Sequence, residues 1–353
     1  MGTTVVNGQL RFIRTRDLGY KPENILFARL NGGIRSNYDA FRLKVLEDPS
    51  VQSVARSLQL PGEMSAIMRG IRWEGMEPGE SAAFGYIPVD YDTVDLMGLE
   101  IVSGRNFSRE YPSDETGYIF NEKAVEVMGL DNPVGKTFVM DEKKSGIIIG
   151  VVKNFHTLPL NYGIEPGFLL LDSANLHVVM FKISPGNTQS VVDRIEAAWK
   201  SFAPDLPFEY QFLEDRFDLV YGAEIRSGKI FRWFVLVAVF LSCLGLLGLS
   251  AYTAEQKTKE IGIRRILGAS VPGVVALLIR QFLVWVLVAN VFAWPIAWFA
   301  MKNWLNNYAF RTRFGLPIFL MSAAAALVIT LLTVSFQAVR AALAKPVDSL
   351  RYE

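Results

Sequence analysis

Three long apolar runs in the last third of the chain constrain its fold more than any other feature. They are IFRWFVLVAVFLSCLGLLGLSAY (230–252), the apolar part of VVALLIRQFLVWVLVANVFAWPIAWFAM (274–301) and LPIFLMSAAAALVITLLTVSF (316–336). A bilayer core of about 30 Å needs roughly 20 apolar residues in a helix, so each run is long enough to span. Arg232 and Arg280 lie within a turn or two of a run's end, where a long side chain can reach the headgroups. Pro295 predicts a kink in the second helix, which neighbouring helices tolerate. The small residues in SCLGLLGLSA and SAAAA suit close helix contact. Trp298 and Trp304 suit an interfacial belt, and Trp285 suits packing.

The first 229 residues read differently. Strand-like runs are NILFARL (24–30), FGYIPVDY (84–91), GYIFN (117–121), SGIIIGVV (145–152), GFLLLD (167–172) and HVVMFKI (177–183). Helical periodicity marks YDAFRLKVLE (38–47), NEKAVEVMG (121–129) and QSVVDRIEAAWKSFA (189–203). The gaps are too variable for a repeated βα unit. The fold class is therefore an α+β domain over 1–229, with room for two lobes, followed by an all-α membrane domain of three helices over 230–353. A helix over 213–231 is expected to run straight into the first membrane helix, a connection that transmits motion rigidly.

Several kinds of chemistry have no support. The net charge is +1 and no basic run tracks phosphates, which argues against nucleic acid. Cys243 is the sole cysteine, so no disulfide forms within the chain. GLDNPVGKT (129–137) has five residues between its first glycine and Gly-Lys-Thr, one too many for a phosphate loop. A helix ending at Gly129 and a Pro-Gly turn explain it better. His156 and His177 have no partners spaced for zinc, and surface or packed roles are expected for both. Asp90, Asp92 and Asp95 are expected in a solvated turn or helix cap. No catalytic, cofactor-binding or metal-binding residue is assigned.

The excess of Lys and Arg narrowly favours the loop 253–272 and the tail on the cytoplasmic side, with 1–229 outside. Yet MGTTVVNGQLRFIRTRDLGY has no apolar core and no cleavage site. A membrane helix upstream of this sequence is therefore expected.

Between the first two runs lies TAEQKTKEIGIRRILGASVPG (253–273). Thr253 and Gln256 have the spacing of a capping box. Glu255 with Lys259, and Glu260 with Arg264, are i,i+4 pairs in the favourable order. Ile263, Ile266 and Leu267 fall on one apolar stripe. Gly268 suits a helix stop, Ser270 a new cap and Pro272 the first turn of the next helix. Periodicity alone leaves two readings equally open: an amphipathic helix docking in a partner's groove, and a plain interfacial loop.

TAEQKTKEIGIRRILGAS closely resembles the segment after the second membrane helix of MacB/FtsX-type ABC transporter permeases. QLRFIRTRDLGY (9–20), VSGRNFS (102–108), NEKAVEVMGLDNPVGKTF (121–138) and IIGVVKNFHTLPL (148–160) resemble the MacB-like extracytoplasmic core. EDRFDLVYGAEIRSGKIFRWF (214–234) is similar to its exit helix, and AVRAALAKPVDSLRYE (338–353) to the family's closing pattern, with Pro346, Leu350 and Arg351 in place. The family unit has a further membrane helix before the outer domain. The chain thus looks most like the C-terminal half of a permease with two such units.

The resemblance implies a permease in the bacterial inner membrane, multi-pass, with 1–229 extracytoplasmic. It implies a separate cytoplasmic ABC ATPase that carries ATP-Mg, so no cofactor belongs to this chain and no enzyme activity is expected of it. The coupling segment would comprise Glu255, Lys259, Glu260, Ile261, Gly262, Ile263, Arg264, Arg265, Leu267 and Gly268. Ile261, Ile263 and Leu267 would pack in the ATPase groove, while Glu260, Arg264 and Arg265 would set charge register. The helices through 214–252 would carry the motion outward, a mechanotransmission role. Other implied partners are the lipid bilayer and a second permease unit, either a homodimer mate or an N-terminal half. The outer domain leaves room for a periplasmic or outer-membrane partner. The implied activity is export of a lipoprotein, peptide or drug-like substrate. The alternative is a regulator controlling a cell-wall hydrolase or an antimicrobial-peptide response.

Overall fold

The computed structural model describes residues 2–14, 16–30, 32–61, 63, 66–141, 144–159, 162–216, 222–312 and 315–342. The backbone divides into two compact units, residues 14–222, and residues 1–13 taken with 223–353. The sequence reading placed the boundary at 229 and gave the N-terminal residues to the outer domain. The difference arises from helix α1 (Gly2–Arg14), which buries Val5, Val6 and Gln9. The Gln9 carboxamide donates to the Phe310 carbonyl at 2.7 Å and accepts from the Thr312 N–H at 2.8 Å. A fully buried amide needs both kinds of partner, and residues 310–312 supply them.

The globular unit contains β1 (Ile25–Arg29), α2 (Gly32–Ser36), α3 (Tyr38–Leu46), β2 (Val51–Ser57), β3 (Ala66–Arg69), β4 (Arg72–Trp73), β5 (Ala83–Val89), α4 (Thr93–Met97) and β6 (Ile101–Gly104). Then follow β7 (Gly117–Asn121), α5 (Glu122–Met128), β8 (Thr137–Asp141), β9 (Lys144–Val152), β10 (Gly167–Leu171), β11 (Val178–Ile183), α6 (Thr188–Phe202) and β12 (Tyr210–Phe212). The strands form one mixed sheet in the order β12-β1-β11-β2-β5-β10-β7-β9-β8-β4, with β3 on β5 and β6 on β9. β11 lies antiparallel between β1 and β2, whereas β10 runs parallel to β5. This mixture of pairings explains the irregular gaps in the sequence.

Each strand-like run of the sequence corresponds to a strand, and each helical run to a helix. α6 buries Val191, Val192, Ile195, Ala198 and Trp199, the stripe its periodicity predicts. Its Trp199 and the Phe181 of β11 meet Phe41 of α3 edge to face, with centroids 6.0 and 6.2 Å away. α5 is capped by Asn121, whose side-chain oxygen accepts from the Ala124 N–H at 2.9 Å, and it stops at Gly129 with φ +65°. A second core gathers Phe84, Tyr118, Phe120, Phe138 and Phe168. Gly146 serves close backbone approach: a Cβ there would lie 1.6 Å from the Thr116 carbonyl oxygen.

The helical unit continues with α7 (Gly222–Gln256), α8 (Thr258–Ile266), α9 (Val271–Leu305) and α10 (Leu316–Ala342). Ile225–Gln256, Val271–Leu305 and Leu316–Val339 are long and apolar enough to cross a membrane. They enclose the three segments expected from sequence. The expected helix over 213–231 is seen from residue 222; residues 213–215 instead form a turn after β12, and residues 217–221 lie outside the described set. The closing residues Pro346, Leu350 and Arg351 lie outside it as well. α9 continues as helix through Pro295 and meets α10 at Trp294 and Phe319, whose ring centroids are 5.7 Å apart. Trp285 does not pack as expected: it is 67% exposed, on a face of α9 that this chain leaves free.

Candidate coupling segment

The expected capping box does not form. The Thr253 hydroxyl donates back to the Leu249 carbonyl at 2.7 Å, and Gln256 Nε2 donates to the Tyr252 hydroxyl at 3.0 Å. Both residues are spent inside α7. Backbone bonds from Lys257 N–H to Thr253 O and from Ile261 N–H to Lys257 O carry the helical pattern across the junction, so α8 follows α7 after one residue. An N-cap needs non-helical backbone, and Thr253 lies within the continuous helix of α7.

α8 has two distinct apolar faces. Ile261 is 7% exposed and packs with Val274 and Leu278 of α9 and with Ala338 of α10. Gly262 is buried beside it. Ile263, Ile266 and Leu267 are 52%, 63% and 81% exposed. Helix geometry explains the division. At about 100° per residue, positions 261 and 263 point to nearly opposite sides, whereas 263, 266 and 267 share one. The grouping of Ile261 with Ile263 and Leu267 as one docking set is therefore corrected: Ile261 braces α8, and Ile266 replaces it on the open face. The heptad-like alternation of aliphatics contained this signal.

The charged residues also separate. Glu260 and Arg264 pair at 2.6 Å, as their spacing predicts, and both remain half exposed. Glu255 is exposed near the end of α7. The side chains of Lys259 and Arg265 lie outside the described set. Lys257 Nζ donates to Gln281 Oε1 at 3.2 Å. The end of α7 thus stands level with residue 281, and the first ten residues of α9, about 15 Å of helix, run on past it. That extension is the wall against which Ile261 packs. α8 stops at Gly268, whose φ of +91° is a left-handed value that favours glycine. Ser270 then caps α9, its Oγ accepting from the Gly273 N–H at 3.3 Å, with Pro272 in the first turn. These stop signals behave as the sequence indicated.

The other candidate residues are structural. GLDNPVGKT follows α5, turns, and enters β8 at Thr137, with Gly135 at φ +86°. Lys136 pairs with Glu74 at 2.5 Å. His177 Nδ1 lies 2.5 Å from an Arg35 guanidinium nitrogen. His156 is buried, and burial depresses its imidazole to about 4. Of the solvated turn or helix cap expected for Asp90, Asp92 and Asp95, Asp92 stands at the N-cap position of α4 without a side-chain cap bond, whereas Asp90 is not solvated. It is 6% exposed and accepts from the Arg56 N–H at 2.7 Å, the Thr93 hydroxyl at 2.8 Å, the Asp92 N–H at 3.2 Å and the Tyr38 hydroxyl at 3.3 Å. Burial raises its carboxyl above the ordinary range despite those bonds. Sequence spacing could not show this, because Tyr38 and Arg56 come from separate elements.

Asp114 and His156 are two of the groups through which acid acts on the globular unit. Burial alone would raise the Asp114 carboxyl, but the paired bonds from Arg105, both 2.6 Å, and the Ser108 N–H at 2.9 Å outweigh it and hold the carboxyl low. A depressed carboxylate stabilises the fold above its unfolded pKa and loses that contribution as pH falls through its folded one. His156, neutral in the fold, acts in the same direction: its contribution is present above about 6.5 and lost toward 4. The unit should therefore lose stability between about pH 6.5 and pH 4, which thermal melts at stepped pH would record. Asp114→Asn should lower stability at pH 7 by about 2–3 kcal/mol, since it unpairs a buried charge-assisted set.

Comparison with known proteins places the helical unit. Residues 232–346 match the FtsX-like permease C-terminal family. This match to part of the chain supports the resemblance to FtsX-type permeases in the helical unit. No curated protein matches the chain. Among solved structures, the periplasmic region of MacB from Actinobacillus actinomycetemcomitans is similar at 16% identity, covering 59% of this chain and 97% of that one, with a TM-score of 0.41. A domain of a putative permease protein from Porphyromonas gingivalis is similar at 17% identity, over 54% and 88%, with a TM-score of 0.37. The extracellular domain of the noncanonic ABC-type transporter YknZ from Gram-positive bacteria is similar at 16%, over 53% and 97%, with 0.38. Three apolar helices long enough to cross a bilayer, with the family match, fit a multi-pass membrane protein. The family is a transport component whose kind of partner is an ATPase.

Proposed function

We propose that the protein is the permease subunit of a MacB/FtsX-type transporter, and that it couples ATP hydrolysis on a separate cytoplasmic ATPase to movement of an extracytoplasmic unit. The cargo is a lipoprotein, peptide or drug-like molecule already outside the bilayer. One observation carries the reading: α8 turns Ile263, Ile266 and Leu267 outward while Ile261 anchors it to α9 and α10. An apolar stripe held on a braced helix can deliver force, because the brace prevents the helix from yielding when it is pushed. ATP acts only through its different affinities for the two states of the assembly.

The test is co-purification of the full chain with its cytoplasmic ABC ATPase, combined with topology. In a Cys243→Ser background, Leu267→Cys should react with a maleimide only after the cytoplasm is opened. A cysteine at Lys136 should react from outside in intact spheroplasts. A label at 136 that requires cell opening would overturn the arrangement, and so would an ATPase that fails to co-purify.

A further inference from the structure

The sheet of the globular unit is weakest at one place. β10 and β5 align over five positions, Gly167 opposite Gly85 through Leu171 opposite Val89. β11 and β2 align from Val178 opposite Ser57 to Ile183 opposite Val51. Between β2 and β5, however, only Ser57 stands opposite Val89, and two backbone bonds flank that pair, Leu58 N–H to Pro88 O at 2.9 Å and Asp90 N–H to Arg56 O at 3.0 Å. On one side of this seam lie β12, β1, β11 and β2 with α2, α3 and α6. On the other lie β5, β10, β7, β9, β8 and β4 with their helices.

The two faces of the seam differ. One is apolar: Ala55, Phe27 and Met180 share a cluster with Val89, Val94, Leu96 and Leu169 from across it. Apolar contact is non-directional and permits small sliding. The opposite face is ionic. Tyr38 and Arg42 project from α3, and Arg56 from β2, toward Asp90 and Asp92. Arg42 pairs with Asp92 at 3.0 Å, and the Tyr38 hydroxyl meets Asp90 at 3.3 Å. The Arg56 guanidinium stacks on the Tyr38 ring, 3.6 Å from its centroid, with Nε 3.9 Å from Asp90. Arg109, on the Asp92 side of the seam, holds Asp92 with two bonds of 3.0 and 2.7 Å.

This network is not fully satisfied. The Nε atoms of Arg42 and Arg56 are buried with no acceptor in hydrogen-bond range. Leaving donors dry costs free energy, and opening the face would wet them. Pairing gains and desolvation losses of this kind nearly cancel, which leaves an element free to take two arrangements.

We propose that the junction of β2 and β5 is a hinge between two lobes, latched by Tyr38 and Arg42 of one lobe on Asp90 and Asp92 of the other. The latch opens on its ionic face while the apolar face acts as the pivot. It belongs to the globular unit itself and stands whether or not an ATPase drives the protein.

Pulsed spin-label distances on the full chain test the hinge. Labels go on cysteines at Lys200 of α6 and Glu126 of α5, both exposed and one on each lobe, with Cys243→Ser. The parent should give one narrow distance distribution. Arg42→Gln with Tyr38→Phe should broaden it and add a second, displaced maximum, while near-UV circular dichroism remains that of a packed core. Arg109→Gln breaks pairing within a single lobe and should leave the distribution narrow. A parent-like distribution in the latch variant overturns the proposal, as does equal broadening in Arg109→Gln. Arg42→Gln alone, should the double variant fail to fold, must still broaden the distribution.

Discussion

Leu267→Asp is expected to abolish ATPase association while membrane insertion and the fold of the helical unit survive. Leu267, in the turn just past α8, is 81% exposed, so its loss removes little internal contact. In a complex, a fully covered leucine contributes about 1.5–3 kcal/mol, and a carboxylate in its place must also be desolvated. Together these predict a loss of affinity of at least about 100-fold, since each 1.4 kcal/mol is tenfold. Ile263→Asp should act similarly from the same face. Ile261→Asp is the informative contrast. It places a charge among Val274, Leu278 and Ala338, so it should melt the packing of α8 and lower the yield of inserted protein. Pull-down of the ATPase, with fluorescence-detected size exclusion as the folding control, separates the three variants. A Leu267→Asp protein that still retains the ATPase at parental affinity removes α8 as the docking element.

The second large effect is expected at Phe120. Its ring lies 4.9 Å from Phe138, 5.2 Å from Phe168 and 6.1 Å from Phe84, and its side chain is wholly buried. Phe120→Ala leaves a void between three rings on separate strands, which cannot all collapse inward at once. The cost should be about 3–5 kcal/mol. For a unit of this size that is a fall of roughly 10 °C in melting temperature, measurable on the full chain by differential scanning fluorimetry. Phe120→Leu should recover about half of that loss, because it restores volume without the edge-to-face geometry.

Short-range signals behaved well wherever one segment satisfied itself. GYIFN, NEKAVEVMG and the Gly268, Ser270 and Pro272 series form the strand, the capped helix and the stop–start turn that their residues indicate. β2 is the instructive omission. VQSVARS has too few large aliphatics to read as a strand, yet it lies inside the sheet, between β11 and β5. Arg56 is tolerated there because Asp90 and the Tyr38 ring, distant in sequence, receive it. α1 went unrecognised for a related reason: Gln9 reads as solvent-facing until Phe310 and Thr312 accept and donate to it.

Three membrane-length helices and an α+β unit ahead of them were legible in the sequence alone, whereas the segment between the first two helices was left open between a helix and a loop until the structure showed a helix. Apolar run length and 3.6-residue periodicity are properties of one segment, so a single segment suffices to show them. Only the tertiary structure decided which aliphatics of α8 face inward, where Asp90 finds its partners and where the large sheet is thinly paired. Those outcomes depend on groups tens to hundreds of residues apart, and no local pattern encodes which of them will meet.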